Sequence, residues 1–346
     1  MRYGHRLCVS LIAAGSLLAA ASGASALDTH QPAVARFIER MVAHDGYDPR
    51  TLRRILGAAR LEPSIVAAME RPAEKVLPWY RYRPIFVNER RIQEGVDFWL
   101  AHRRELRRAS ERTGVAPQYL VAILGVETYY GRLTGGYRVI DALATLSFDY
   151  PPRAAFFRRQ LEQFLLLARD HDFDPLEVRG SYAGAMGAPQ FMPSTYRRFG
   201  IDATVDGRVD LWSDWPDVFD SIGYYLRENG WVTGGAVLRD AVVDADAPAP
   251  VPASSLGPPT TVGALRAAGI RIADAPGPGS RAWLVPAEQP QGLKWRVGFE
   301  NFYAITRYNR SPLYAMAVHD LALALRQRIP AAPAAPTASA ALGGSR

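Results

Sequence analysis

Glu127 is the residue of this sequence whose surroundings most favour acid–base chemistry. It lies in the stretch LGVETYYGR, Leu124 to Arg132, which is apolar enough for a buried helix and in which Gly131 is the expected stop. Burial and the negative end of the helix dipole both disfavour an ionised carboxyl, so we expect a raised pKa. A carboxylic acid that stays protonated near neutral pH can protonate a glycosidic oxygen. A buried ion pair with an arginine would explain this pattern equally well.

A second segment, 179–196, has the composition of a binding loop. It reads RGSYAGAMGAPQFMPSTY, and its glycines would let a polymer approach the backbone. An irregular link between helices would have the same composition. The side chains in it that could contact a ligand are Ser181, Gln190, Phe191, Met192 and Tyr196.

Helical patterns surround both segments. Apolar residues recur every three or four positions over 34–112, with one long stretch at 89–114, and again over 113–231. Asp48–Pro49 is a capped helix start, and Thr113 or Gly114 is the expected cap of the helix that carries Glu127. The stretch 244–261 is too rich in proline for a regular element. Two short strands and a final helical segment follow, at 280–288, 293–300 and 301–328.

The first 26 residues predict export. A basic start, an apolar run and a small-x-small site ending at Ala26 are typical of a secretory signal. Cys8 stands at the front of the apolar run, whereas a lipoprotein cysteine stands at its end, so no lipid anchor is expected. No later stretch approaches the roughly 20 apolar residues of a membrane span. The mature protein should therefore be soluble and free of cysteine.

The mature chain is basic, since loss of Arg2 and Arg6 lowers the formal charge from +7 to +5. Positive charge attracts polyanions. An exported protein rarely meets nucleic acid, so an acidic wall or surface polymer is the expected partner. Most of the arginines are expected to lie on solvated faces of helices.

One loop has a weak calcium signature. Asp202, Thr204 and Asp206 stand on alternate positions before Gly207, as at the start of an EF-hand loop, but the twelfth position is Ser213 instead of Glu. An ordinary Asp-Gly turn explains the same residues.

Five motifs in this order and spacing resemble the lytic murein transglycosylases of the B type, over residues 34–328. They are GVETYYGR, DALATLSFDYPPRAAFF, GSYAGAMGAPQFMPSTY, DLWSDWPDVFDSIGYYL and NFYAITRYNRSPLYAMAV. The resemblance implies a mainly α (α+β) fold, with a helical amino-terminal domain, a lysozyme-like core and a small inserted antiparallel β-domain. It also implies cleavage of the β-1,4 bond between N-acetylmuramic acid and N-acetylglucosamine in peptidoglycan, with a 1,6-anhydromuramoyl product.

The expected domain limits combine this resemblance with the patterns above. They are a signal peptide 1–26, a helical amino-terminal domain 27–112, a catalytic core 113–235, a β-domain 236–300, carboxy-terminal core helices 301–329 and a disordered tail 330–346.

The resemblance also assigns roles to single residues. It places the catalytic Glu at Glu127 and implies that Ser181 contacts an N-acetyl group. Relatives have two adjacent arginines where this chain has Pro152 and Arg153, so one cationic contact is expected to be missing. The substrate-binding positions implied are Ser181, Gln190, Phe191, Tyr82, Tyr308 and Arg153.

Relatives in this family hold calcium in a lengthened EF-hand-like loop, with a closing aspartate that corresponds to Asp217. The ligands implied here are Asp202, Thr204, Asp206 and Asp217, although this chain has one extra residue near Trp215. A calcium bound there would be structural, and no cofactor is expected for the chemistry.

A single carboxylate suffices for the expected reaction if the 2-acetamido group of the substrate attacks its own anomeric carbon. Two alternatives stay open: a hydrolytic muramidase, and a peptidoglycan-binding protein without turnover. Intact Glu127, Ser181 and Gln190 argue against the second. Signal and resemblance together predict a periplasmic protein that acts on glycan strands, and they leave open any partner among wall-synthesis proteins. The sequence says nothing of the oligomeric state, so a monomer is only the default expectation.

Overall fold

The structure is a computed structural model, and it describes residues 24–70, 77–246 and 256–330. Most of the predicted signal peptide (1–23) and the predicted tail after 330 lie outside the described residues. The described residues form 14 α-helices. These are α1 Pro32–Asp45, α2 Pro49–Gly57, α3 Pro63–Glu70, α4 Trp79–Phe86, α5 Glu89–Ala101, α6 Arg103–Thr113, α7 Pro117–Thr128, α8 Val139–Phe148, α9 Ala154–Asp170, α10 Pro193–Phe199, α11 Trp215–Glu228, α12 Val262–Ala267, α13 Glu300–Tyr308 and α14 Pro312–Arg328.

The strands are short, and most belong to one antiparallel sheet. They are β1 Ser25–Ala26, β2 Arg60–Leu61, β3 Tyr137–Arg138, β4 Arg179–Gly180, β5 Leu238–Val243, β6 Thr260–Thr261, β7 Ile270–Ile272, β8 Arg281–Gln289 and β9 Gly292–Gly298. The five-stranded sheet has the order β6-β8-β9-β5-β7, while β1 pairs with β2 and β3 with β4. The fold is therefore mainly helical with a small antiparallel sheet, and the predicted fold class is confirmed.

The sheet has an apolar cluster of its own. Val262, Ile270 and Val297 are among its buried side chains. A larger cluster holds the buried side chains of the other helices and also includes Leu238 of β5 and Val285 of β8. The strands predicted at 280–288 and 293–300 correspond to β8 and β9. The sequence patterns missed β5, β7 and α12, because each is too short for its periodicity to stand out.

Helix boundaries agree with expectation at one point and differ at three. Asp48 caps α2, where its carboxylate accepts a hydrogen bond from the amide of Thr51. The stretch predicted as one helix over 89–114 is two helices, because His102 leaves the helical conformation (φ −109°, ψ 27°). The cap of α7 is Ala116, which gives no side-chain hydrogen bond, and the helix ends at Thr128, before Gly131.

Helix α7 is the centre of the helical body, since nine of its twelve residues are buried. It packs against α5, α6, α11 and α14. Gly125 makes the approach of α14 possible, because a Cβ at this position would lie 2.9 Å from Leu321. Among the described residues, no helix is both long and apolar enough to cross a bilayer.

Candidate active site

Glu127 lies in the last turn of α7, partly buried, with its carboxyl group facing a cleft. The hydroxyl of Tyr314, in the first turn of α14, donates a hydrogen bond of 2.7 Å to Oε1 of Glu127. Burial raises the pKa of Glu127 to about 7, and the hydrogen bond from Tyr314 opposes part of this rise. The acid and the carboxylate are therefore both well populated near neutral pH.

The chain after Glu127 fixes the direction of this carboxyl group. Tyr129 and Tyr130 both adopt left-handed backbone conformations, with φ of 53° and 61°, which turn the chain away from the helix axis. The buried hydroxyl of Thr128 donates to the carbonyl of Ala188 at 2.8 Å and accepts from the amide of Gly131 at 3.0 Å. Thr128 thus joins the end of α7 to the segment 179–196, the glycine-rich loop, which contains Ala188.

The cleft gathers most of the residues predicted for the site. Its free volume is about 160 Å³. Among the side chains that line it in the described part of the chain, Glu127 is the one carboxyl group. The predicted residues found there are Glu127, Arg153, Ser181, Gln190, Phe191 and Tyr308.

Ser181 is buried and its hydroxyl is oriented by the backbone. Its Oγ accepts hydrogen bonds from the amides of Ala183 (3.3 Å) and Ala185 (3.0 Å). Because these bonds occupy the lone pairs of the oxygen, the hydroxyl hydrogen is left to donate. Ser181 can therefore donate to a carbonyl oxygen of a ligand in the cleft.

Gln190 and Phe191 form the adjoining wall. Gln190 has a left-handed backbone (φ 54°), and its Nε2 donates to the carbonyls of Thr134 and Gly187, both at 3.0 Å. The ring of Phe191 lies 5.8 Å from that of Tyr308. The hydroxyl of Tyr308 donates to the carbonyl of Pro189 at 2.6 Å, so this hydroxyl is occupied within the protein.

Arg153 is in the cleft wall, and Tyr82 is not. The guanidinium of Arg153 lies 4.7 Å from the ring centroid of Phe156, a cation–π contact. Tyr82 is buried, with its ring 5.2 Å from Phe86. It is close enough to Tyr314 that a charge on it would raise the pKa of that tyrosine, but it is absent from the cleft lining within the described residues.

Sequence reasoning missed Tyr314, Tyr225, Arg307 and Asn309. Tyr314 follows the helix cap Ser311 by three residues. This position in the sequence does not predict which helix the side chain of Tyr314 will contact. Arg307 and Asn309 flank Tyr308 in the cleft lining, so the motif that identified Tyr308 contained them. Tyr225 lies in α11, and its hydroxyl donates to the carbonyl of Arg307 at 2.6 Å.

The loop with the calcium signature is closed by its own backbone. Asp202 accepts from the amides of Asp206 and Gly207, at 3.2 and 2.8 Å. The two oxygens of the buried Asp217 accept from the amides of Ala203 and Asp210, at 2.7 and 2.9 Å. Carboxylate oxygens suit calcium, but in the described chain no three His, Cys, Asp or Glu side chains are arranged to hold a metal. A calcium ion could bind there only if Asp202 and Asp217 exchanged these amide partners for it.

Comparison with known proteins places the chain among peptidoglycan-cleaving enzymes. Residues 29–323 match the family profile of the transglycosylase SLT domain. The membrane-bound lytic murein transglycosylase B of Escherichia coli (strain K12) is 40% identical over 305 residues, which are 86% of this chain and 83% of that protein. The solved soluble lytic transglycosylase SltB1 from Pseudomonas aeruginosa is 44% identical with a TM-score of 0.82, over 86% of this chain and 99% of that one.

Two further solved structures contain ligands. The E. coli lytic transglycosylase Slt35 in complex with calcium is 39% identical, with a TM-score of 0.79, over 86% of this chain and 94% of that one. SltB3 from P. aeruginosa in complex with NAG-NAM-pentapeptide is 28% identical, with a TM-score of 0.75, over 84% of this chain and 78% of that one.

Proposed function

The chain belongs to the transglycosylase SLT family and is a lytic murein transglycosylase, and we propose that Glu127 alone supplies both the acid and the base of its reaction. The bond to be cleaved is the β-1,4 bond between N-acetylmuramic acid and N-acetylglucosamine. The observation that carries this proposal is a lone carboxyl group in the cleft whose burial raises its pKa to about 7. Glycosidases with a protein nucleophile place a second carboxylate in the site, and the described cleft lining has none.

In the first step, protonated Glu127 gives its proton to the glycosidic oxygen. The carbonyl oxygen of the muramic acid's 2-acetamido group attacks C1, and the bond from C1 to the leaving oxygen breaks. Ser181 donates to the acetamido group and holds it in position for this attack. Ser181 is suited to this role because its lone pairs are occupied by the amides of Ala183 and Ala185.

In the second step, ionised Glu127 takes the proton of the sugar's own C6 hydroxyl. Oxygen O6 attacks C1, the bond from C1 to the acetamido oxygen breaks, and the 1,6-anhydro ring closes without water. Glu127 is protonated again and ready for another cycle. A pKa near 7 suits this double role, because neither proton transfer is then strongly uphill.

Aromatic and cationic side chains of the cleft would bind the sugars. Phe191 and Tyr308 line the cleft as largely buried side chains and would form an apolar wall against which a pyranose ring packs. Arg153 supplies positive charge for the carboxylates of the substrate. Gln190 is proposed to contact the glycan through its side-chain oxygen, since its Nε2 is bound to Thr134 and Gly187.

We propose the periplasm as the site of action, with the mature chain beginning at Leu27. The predicted signal and the resemblance support this location, and the resemblance also supports glycan strands as the substrate. The smaller apolar cluster supports treating residues 236–300 as a small domain, which Leu238 and Val285 join to the helical body through the larger cluster. Calcium is assigned no part in the chemistry, because the closed loop containing Asp202 and Asp217 contributes no side chain to the cleft lining.

The test is mass spectrometry of the muropeptides that the mature protein releases from purified murein. Products lighter by one water than the reducing sugars are expected from the wild type and absent with Glu127→Gln. Glu111→Gln, a change to an exposed glutamate of α6, is the matched control and should keep the wild-type products. Reducing-end products would establish a muramidase, and the absence of products from a folded protein that still binds murein would establish a binding module.

A further inference from the structure

An open basic groove of about 380 Å³ lies beside the glycine-rich loop, outside the cleft that contains Glu127. It is built where the paired strands β3 and β4 approach β2. The charged side chains that line it are Arg60, Glu62, Arg138, Asp141 and Arg179, and the exposed ring of Tyr137 stands at its side.

One arginine of this groove is neutralised inside the protein. Arg138 forms two hydrogen bonds with the buried carboxylate of Asp141, at 2.7 and 2.8 Å. The same carboxylate accepts the backbone amide of Arg60 at 2.8 Å and so fixes β2 to α8. This bidentate pair is a rigid floor for the groove.

The other two arginines keep their charges for a ligand. Arg60 and Arg179 are exposed, and neither forms an ion pair with any residue that the structure describes. Arg179 is oriented by a hydrogen bond of 2.7 Å to the carbonyl of Gly136. The carboxylate of Glu62 lies in the same groove. Two guanidinium groups beside one carboxylate suit a ligand with several carboxylates and one amino group.

The groove is connected to the cleft through β4. Arg179 is two residues before Ser181, and β4 is held in place by tight packing, since a Cβ on Gly180 would lie 2.2 Å from the carbonyl oxygen of Ala185. On muramic acid, the acetamido group is on C2 and the lactyl group that carries the stem peptide is on the neighbouring C3. If Ser181 holds the acetamido group, the stem peptide leaves the sugar beside β4.

We propose that this groove is a subsite for the stem peptide of peptidoglycan, with Arg60 and Arg179 binding its carboxylates and Glu62 the amino group of its diamino acid. The proposal rests on the proposed function, because Ser181 sets the direction of the sugar. All the lining residues follow Leu27 and are therefore present in the mature chain.

The test compares two substrates, murein strands with intact stem peptides and the same strands after an amidase has removed them. Arg60→Gln/Arg179→Gln should lower kcat/KM about three- to tenfold on the first substrate and leave the ratio to wild type near one on the second. Arg266→Gln removes one positive charge from an exposed position of α12, outside the groove lining, and should not change either rate. Isothermal titration with the free stem tetrapeptide, using Glu127→Gln as the background, should show binding that the two arginine changes weaken.

Equal losses on both substrates, or none on the stem-bearing one, would overturn the subsite. A general polyanion surface would do the same, and it would be seen as equal binding of inorganic phosphate and of the tetrapeptide. These outcomes are distinct from failure of the proposed function, in which the wild type itself would give no anhydro products on either substrate.

Discussion

The hydroxyl of Tyr314 lies 2.7 Å from Oε1 of Glu127 and joins two helices through residues that are 187 positions apart. Burial and the hydrogen bond from Tyr314 shift the pKa of Glu127 in opposite directions, because burial favours the acid and the hydrogen bond favours the carboxylate. Burial is the larger of the two effects. The result is a pKa of about 7, where one group can give a proton and then take another.

Tyr314→Phe should move the pH profile of the enzyme to higher pH. The change removes the hydrogen bond that stabilises ionised Glu127, so the pKa of Glu127 should rise above about 7. Because the first step needs the protonated acid, the fall of kcat/KM on the alkaline side should begin at a higher pH than in the wild type. The measurement is kcat/KM for murein between pH 5 and pH 9.

Tyr47→Phe is the control for this experiment. It also removes a buried tyrosine hydroxyl that donates to a carbonyl, that of Leu165, but at a site outside the cleft lining. Its profile should match the wild type. An alkaline limb that moves to lower pH in Tyr314→Phe would show that Tyr314 does not stabilise the carboxylate.

Glu127→Gln should stabilise the protein at pH 8 and have little effect at pH 4. The carboxyl has a folded pKa of about 7 against an ordinary value of 4.5, so the folded state binds the proton more tightly than the unfolded state. The resulting stability is fully present below pH 4.5 and is lost as the pH rises through 7. The uncharged amide avoids that loss, which is about 3 kcal/mol at most.

Urea unfolding of both proteins at pH 4 and pH 8 measures this difference. Glu127→Gln should have the larger free energy of unfolding at pH 8, whereas the two proteins should have nearly equal values at pH 4. Glu111→Gln, which removes an exposed carboxylate, should follow the wild type at both. A gap of the opposite sign at pH 8 would contradict a raised pKa.

Ser181→Ala should lower kcat far more than it lowers stability. Removing a group that orients the attacking acetamido oxygen is expected to cost about 10²-fold in kcat, as for other preorganised donors. Two amides, those of Ala183 and Ala185, also lose their acceptor, which costs roughly 1 to 3 kcal/mol of stability. Single-turnover rates and thermal unfolding separate the two effects.

Ser221→Ala is matched to this change, because the buried Ser221 also accepts a backbone amide, that of Ile201, at 2.9 Å. It should lose stability and keep kcat. Equal losses of kcat in the two variants would assign Ser181 a purely structural role.

The environment of Glu127 could be predicted from sequence because it depends on local pattern. Nearly every residue before Glu127 in α7 is apolar, and such a helix must be buried. The resemblance then placed Ser181, Gln190 and Phe191 in the same cleft. The partner of Glu127 could not be predicted, because the contact with Tyr314 depends on how α14 packs on α7.

The ends of elements were also beyond sequence reasoning where tertiary contacts decide them. The residues next to His102 include no proline or glycine from which a helix break could be predicted. Its ring lies 4.6 Å from that of Phe98 and 5.1 Å from that of Trp215 in α11, so long-range packing accompanies the break. The left-handed conformations of Tyr129 and Tyr130 are equally unexpected for bulky residues, and they occur where Thr128 is bound to a distant loop.

Removal of calcium should leave kcat unchanged and alter the melting temperature by no more than a few degrees. The loop 202–217 is closed by amide hydrogen bonds to Asp202 and Asp217, so it does not depend on an ion for its shape. Burial raises the pKa of Asp217, and the nearby carboxylates of Asp214 and Asp202 raise it further, so a cation would relieve some repulsion. To bind calcium, however, Asp217 would have to exchange the amides of Ala203 and Asp210 for the ion. We therefore expect an effect only at millimolar calcium.

Thermal unfolding in EGTA and in graded calcium, with Asp217→Asn alongside, measures this effect. A large fall in melting temperature in EGTA that Asp217→Asn reproduces would show that the loop rearranges into a tight calcium site.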